Sequence, residues 1–251
     1  MESPLEIMRV ACASIPTSSG SFLLCVYENN LDDKEHLAIL MGEVNGVANV
    51  LVRIHSECFT GDVLGSRRCD CGDQLQAAMK SIAAEQRGVI IYLRQEGRGI
   101  GLAEKLKAYN LQDNGLDTVD ANLALGHAAD GRDYSVAAAI LRDLGVQSVR
   151  LITNNPAKIH ELNRLGINVV DRVAIETAIY PENAGYLLTK AQRMDHLFDP
   201  LSLASLLVSE YSKLSNPIGY RLNPGNHNGH KGQVKNNPKN GIHRYPGTTP
   251  R

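Results

Sequence analysis

No stretch of this 251-residue chain is long and apolar enough to span a bilayer. Met1 to Val10 form neither an uninterrupted apolar signal segment nor an Arg/Ser-rich transit pattern, because Glu2 and Glu6 fall among their apolar positions. A cytoplasmic location without a membrane partner is the expectation. Disulfide-scaffold spacing is also missing: the five cysteines are odd in number, and three of them crowd between Cys58 and Cys71. Cys12 and Cys25 stand apart in apolar stretches and read as small buried hydrophobes in a reducing compartment. Acid is lacking at one end. The last acidic residue is Glu210, and Ser212 to Arg251 carry four Lys and three Arg against no Asp or Glu. No internal repeat is visible, which excludes solenoids and propellers.

At 43% hydrophobic and 21% charged, the chain has the balance of an ordinary globular enzyme or binding domain. The stretch from Ser212 differs: it holds five of the ten prolines, six glycines and seven asparagines, too little apolar surface to offset the entropy of ordering. The reading is a folded body at 1–207 and a disordered basic tail at 208–251. The tail reads as a solvated extension; no nucleic acid is required as its partner, and what it touches is open.

Within the body, an antiparallel strand pair is expected at Arg9 to Ser14 and Gly20 to Tyr27, turning through Pro16 to Ser19. Further strands are expected at Leu37 to Met41, Val47 to Ile54, Gly88 to Leu93, Val149 to Ile152 and Ile167 to Val170. The apolar run Gly88 to Leu93 has the continuity of a buried strand. Helices are expected at Asp73 to Gln86, Ile100 to Leu111, Val119 to Ala129, Tyr134 to Leu144, Pro156 to Leu165 and Asn183 to His196, the fifth with proline at its favoured first position. This alternation predicts an α/β fold: a mixed sheet flanked by helices, with an N-terminal antiparallel hairpin.

Three segments carry chemistry. Cys58 ends a strand, while Cys69 and Cys71 precede a helix, so three thiols converge from two loops. Structural zinc sites use four protein ligands, whereas catalytic ones use three and keep a position for water. No fourth cysteine is near, which favours the open kind; His55 or a remote residue would close a structural one. His55-Ser56-Glu57 superficially matches half of a nucleobase-deaminase signature, but Cys-x-Cys without proline fails the other half. The second segment, Arg94 to Gly101, is a glycine-rich turn between a strand and a helix, suited to phosphate and reinforced by Arg94 and Arg98, yet neither a Walker loop nor a dinucleotide fingerprint. The third, Thr153 to Lys158, brings a hydroxyl, a helix N-terminus and a lysine together. Between them, Asp130 and Arg132 flank Gly131 beyond a helix end, where a plain charge pair is the simple reading.

Taken in order, Arg53 to Asp62, Arg68 to Gly72, Arg94 to Arg98, Tyr109 to Asp113, Asp117 to Val119, Asp130 with Arg132, and Thr153 to Pro156 resemble the GTP cyclohydrolase II family over roughly residues 8 to 197. The resemblance implies that residues 1–207 are a catalytic domain converting GTP and water to 2,5-diamino-6-ribosylamino-pyrimidinone 5'-phosphate, formate and pyrophosphate, the first step of riboflavin biosynthesis. It implies one Zn2+ per chain on Cys58, Cys69 and Cys71, and Mg2+ with the triphosphate. GTP contacts fall on Arg53, Ile54, His55, Ser56, Glu57, Gln74, Glu96, Gly97, Arg98, Thr118, Thr153 and Lys158. The proton acceptor falls on Asp130, the residue that attacks the α-phosphate on Arg132, and the aromatic residue beside the purine on Tyr109. A guanidinium with a pKa above about 12 is a poor nucleophile, so Arg132 acting through its charge is the competing role. A homodimer is expected from the family. The fused domain that many members carry, which makes the other riboflavin precursor, is expected to be absent. The alternatives are a paralogue that stops at the formamidopyrimidine or only releases pyrophosphate, and a catalytically silent GTP-binding zinc module; Tyr109 speaks for the complete reaction.

Overall fold

The apolar runs of the body fold into one mixed sheet in a computed structural model that describes residues 4–128, 130–199, 201 and 204–208. Its strands are β1 (Ile7–Thr17), β2 (Gly20–Asn29), β3 (His36–Met41), β4 (Val50–Ser56), β5 (Gly88–Leu93), β6 (Val149–Ile152) and β7 (Val169–Val173). They lie in the order β1-β2-β3-β5-β4-β6-β7. The first three form an antiparallel meander that meets β5 antiparallel, and β5, β4, β6 and β7 are mutually parallel. The helices are α1 (Phe59–Asp62), α2 (Cys71–Glu85), α3 (Leu102–Asp113), α4 (Thr118–Ala124), α5 (Ser135–Asp143), α6 (Pro156–Arg164) and α7 (Ala184–Arg193). Among the described residues no helix is long and apolar enough to cross a membrane.

Successive side chains of a strand point to opposite faces, and the central strands bury both. Val52, Ile54, Val89, Ile91 and Leu93 pack with Ile140, Leu141 and Leu162 of α5 and α6 on one face. Leu51, Ile90 and Ile152 pack with Ala78 and Ile82 of α2 on the other. Arg53 and His55 alternate with Val52 and Ile54 along β4, so they point to the α2 side, at the carboxyl ends of the parallel strands. That is where open α/β sheets bind their ligands.

Every strand and helix expected from the sequence is present. α1 was not expected, β1 continues through Pro16 and Thr17 where a turn was expected, and several other boundaries shift where the backbone takes a left-handed conformation. β4 starts at Val50 rather than Val47, after Asn49 at φ 60°, whose N–H donates to Ser148 Oγ at 2.8 Å. β7 runs from Val169 rather than Ile167, because Gly166 at φ 81° ends α6 and Ile167 N–H closes back on Leu162 O. α4 is shorter than expected, stopping before Gly126 at φ 81°, and Ala129, its expected end, lies outside the described residues. α2 begins at Cys71, two residues earlier than expected, which places a thiol in its first turn.

The reading of Cys12 and Cys25 as separate buried hydrophobes is corrected. They face each other in the β1–β2 register with Cα atoms 4.1 Å apart and are joined in a disulfide, Cys25 buried and Cys12 exposed. A pair of cysteines thirteen residues apart is brought together by hairpin pairing, which neither local apolar stretch reveals on its own. The expected tail lies outside the described residues, apart from Val208.

Candidate functional site

Cys58 leaves the end of β4, and Cys69 and Cys71 lead into α2. Two glycines let those segments touch: a Cβ on Gly72 would lie 2.3 Å from Gly61 O, and one on Gly61 would lie 3.0 Å from Cys69 Sγ. The three Sγ atoms consequently lie within 4.8 Å of one another. Tetrahedral zinc with Zn–S of about 2.3 Å sets its sulfurs roughly 3.8 Å apart, so the thiols fit such an ion with little movement. Hydrogen bonds from Cys69 and Cys71, with Lys105 behind them, hold the Cys58 thiol far below its ordinary value. The same bonding to Cys58 pushes Cys69 up to about 12 and raises Cys71. A metal ion binds such a trio as thiolates and would displace the remaining protons. Lys105 Nζ donates to Cys58 Sγ at 3.0 Å and to Glu96 Oε1 at 2.7 Å, a backing that suits an anionic sulfur cluster.

His55 is fixed beside this centre. Its Nε2 lies 3.1 Å from both oxygens of buried Asp62, which also accepts from Cys58 N–H and Tyr92 OH. Burial lowers the His55 pKa against the pull of Asp62, so the ring is neutral, donates from Nε2 and leaves Nδ1 bare. His55 Nδ1, Arg53 Nε, Ser56 Oγ and Tyr134 OH are buried without a hydrogen-bond partner among the described residues. Buried polar atoms are ordinarily satisfied, and three of these residues, Arg53, His55 and Ser56, line one cavity and mark a place for a polar ligand.

Two cavities meet there. One is lined by the three cysteines, Ile100, Ala108, Tyr109 and Thr118, and the Tyr109 ring lies 4.4 Å below the Arg68 guanidinium. The other is lined by Arg53, His55, Gln74, Thr153, Lys158 and Lys190. Ser56, Cys71, Arg98, Arg132 and Tyr186 line both and form their common wall. Arg132 is gripped by Asp130, with Nε donating to Oδ1 at 2.7 Å and Nη2 to Oδ2. Burial opposes the Arg132 charge but Asp130 outweighs it, and in return Arg132 holds Asp130 below the usual carboxylate range. Gly131 N–H donates to Arg98 O at 3.2 Å, fastening this turn to the glycine-rich loop, where Gly97 and Arg98 both take φ near 63°. Lys158 is buried, donates to Ile54 O at 2.7 Å and lies 5.3 Å from the Tyr134 ring centroid. Burial, then Arg53 and Arg132, force its pKa well down.

The family model for GTP cyclohydrolase II matches residues 8–174. The chain belongs to the GTP cyclohydrolase II family. It is 54% identical over 194 residues to riboflavin biosynthesis protein RibBA of Chlamydia trachomatis, covering 77% of this chain and 46% of that one. It is 52% identical over 193 residues to RibBA of Bacillus cereus, covering 77% and 49%. To GTP cyclohydrolase-2 of Hahella chejuensis it is 52% identical over 193 residues, covering 77% and 93%. The chain thus spans about half the length of the RibBA relatives it matches. A solved two-domain 3,4-dihydroxy-2-butanone 4-phosphate synthase from A. baumannii, RibBX, aligns at 23% identity and a TM-score of 0.39 over 68% of this chain and 40% of that one, too distant to carry an argument.

Most residues expected to form a GTP cyclohydrolase II site line one of the two cavities. Glu57, Glu96, Gly97, Arg98, Tyr109 and Thr118 line the thiol cavity. Ile54 is an exception: its side chain is in the core, and it meets the site through its carbonyl on Lys158. Glu96 turns toward the Cys58 loop, accepting from Phe59 N–H and Lys105. Asp130 reaches the cavities through Arg132. Arg94, read with the phosphate loop, instead pairs with Glu57 at 3.0 Å and lines neither cavity. Lys105, Arg68, Tyr186 and Lys190 were not foreseen. Lys105 sits on the helix after the glycine-rich loop with no motif of its own, and α7 enters the site from far along the chain.

Proposed function

We propose that this chain is a zinc-dependent GTP cyclohydrolase, hydrolysing GTP to 2,5-diamino-6-ribosylamino-pyrimidinone 5'-phosphate, formate and pyrophosphate at the entry to riboflavin biosynthesis. The observation that carries this reading is the common wall: an apolar cleft with an aromatic floor and three thiols adjoins a cationic cavity, with Arg132 between. A purine fits the first and an oligophosphate the second. Cys58, Cys69 and Cys71 would hold zinc, which supplies the Lewis acidity that makes water nucleophilic near neutral pH.

The chain's own residues do the rest. Tyr109, held by the Arg68 cation, offers its ring to the purine face. Thr118 lines the same cleft, and Glu57 and Ser56 stand at the edge of the thiol cluster. Arg53, Gln74, Thr153 and Lys158 receive phosphate oxygens, His55 stands beside them as a hydrogen-bond acceptor through Nδ1, and Mg2+ on the triphosphate would neutralise charge on the pyrophosphate. Asp130 holds Arg132 at the junction, where the α-phosphate would lie. A guanidinium kept above its ordinary pKa acts there as a fixed cation on developing negative charge.

The test is formate release from GTP with zinc and magnesium, repeated after chelation, with mass spectrometry of the nucleotide product. Formate with the deformylated pyrimidine, lost on chelation, supports the reading. A product that keeps its formyl group, or pyrophosphate with an intact purine, makes the chain a paralogue of different outcome, and binding without turnover ends the enzymatic reading. A homodimer is part of this proposal. Met8, Val10, Ile15 and Leu23 leave apolar area on the β1–β2 hairpin that a second copy could cover, and light scattering of the purified protein checks it.

A further inference from the structure

α7 lies beyond residue 174, where the family match ends, yet it forms part of both cavities. It is clamped at two places. Arg193 Nη1 donates to Asp120 Oδ1 at 2.9 Å and to Asp117, the residue that caps α4. Lys190 is 6% exposed and donates to both oxygens of Asp70, at 3.0 and 3.1 Å. Asp70 is itself 2% exposed, stands between Cys69 and Cys71, and accepts from Gln74 Nε2 at 2.7 Å; Gln74 Oε1 in turn accepts from Arg53 Nη2. A continuous chain of partners thus crosses the cationic cavity from α7 to β4.

The charges there do not balance. Besides Lys158, the cationic side chains Arg53, Arg98, Arg132 and Lys190 line one cavity, while among the described residues the carboxylates bonded to its lining are Asp62 on His55, Asp70 and Asp130. Burying surplus cations is costly unless anions reach them, and Arg53, whose Nε has no hydrogen-bond partner among the described residues, belongs to the same lining. An ammonium has three donors. Asp70 accepts from Lys190 through both oxygens, the Lys190 Nζ lies 5.0 Å from the Tyr186 ring centroid, and the side chain lines the cavity.

We propose that Lys190 is an oligophosphate-binding residue, supplied by α7 and held in position by Asp70. Its ligand is a linear chain of phosphates, in GTP the part beyond the α-phosphate, and the assignment rests on the nucleotide reading above. Without α7 the cavity would lose both a wall and a charge.

The experiment is calorimetric titration of the full-length, metal-loaded protein with inorganic tripolyphosphate and, separately, with guanosine. Lys190→Gln is expected to weaken tripolyphosphate by about tenfold or more, as loss of a charge-assisted contact should, and to leave guanosine affinity and metal content unchanged. Lys190→Arg should keep most of the affinity. Lys190→Gln also strands Asp70, so the double variant Lys190→Met/Asp70→Asn separates binding from packing by removing the unpaired carboxylate. If tripolyphosphate binding stays weak in the double variant while guanosine and metal are retained, Lys190 binds phosphate. Recovery of tripolyphosphate binding in that variant, or an unchanged affinity in Lys190→Gln, overturns the assignment. A wild-type protein that binds neither GTP nor tripolyphosphate overturns the nucleotide reading first.

Discussion

Lys158 is buried under Tyr134 among Arg53, Arg132 and Lys190, and its proton is poorly held until an anion arrives. Phosphate binding should therefore take up a proton at pH values between the lowered folded value and the ordinary lysine value: calorimetric enthalpies measured there in buffers of different ionisation enthalpy will differ, and Lys158→Met will abolish the difference while weakening tripolyphosphate roughly ten- to a hundredfold. The sign for stability follows from the same shift. Between the lowered folded pKa and the ordinary lysine value, the unfolded chain binds the extra proton, so the ligand-free protein gains stability as pH rises through that window. Denaturant midpoints at several pH values should show this, and Lys158→Met should flatten it. Arg132 differs because its partner Asp130 strengthens its charge. Arg132→Ala should lower kcat about 10²- to 10³-fold, the cost of losing one stabiliser of developing charge. Denaturing mass spectrometry under alkaline quench should find no guanylyl group on wild-type Arg132; a kinetically competent adduct would reject its role as a fixed cation.

At the scale of elements, the metal centre depends on how closely α1 can approach α2. A methyl group on Gly72 meets Gly61 O at 2.3 Å, so Gly72→Ala must push the Cys58 segment away from Cys69 and Cys71. Zinc stoichiometry should fall well below one per chain while most tripolyphosphate binding survives, because Arg53, Lys158 and Lys190 sit on β4, α6 and α7 and only Gln74 shares α2. A Gly72→Ala protein with full zinc would show that the loops have slack. Legibility varied by element for related reasons. β5 was readable because a continuous apolar run has few other fates, and α6 because Pro156 opens it and Asn155 caps it, its side chain accepting from Ala157 N–H at 3.0 Å. The start of α2 was not, since Asp70 looks like part of a loop until Gln74 and Lys190 bind its carboxylate. α7 itself was foreseen; its entry into the site was not, because Lys190 and Asp70 are 120 residues apart and no local spacing encodes that meeting.

Across the whole molecule, the cysteines divide into a bonded pair on the hairpin and a trio at the centre. Thiol titration of protein denatured with chelator and without reductant should count three, rising to five after reduction; five from the outset would mean that Cys12 and Cys25 stay apart in solution. The trio could be read in the chain because Cys58, Cys69 and Cys71 are close in sequence. The pair could not, because only the register of β1 on β2 sets Cys12 against Cys25.

The wall shared by the two cavities has a further consequence, in the arithmetic of linked ligands. A nucleoside alone or an oligophosphate alone engages half of the cleft, whereas joining them makes the second contact intramolecular, at an effective concentration on the order of millimolar. Affinity for the intact nucleotide should then exceed that of the tighter fragment by the effective concentration divided by the dissociation constant of the weaker one. Once the α–β bond is cut, that advantage disappears, and each fragment is held with the weaker grip of its own cavity. Cleavage at Arg132 would thereby loosen both products without any moving lid.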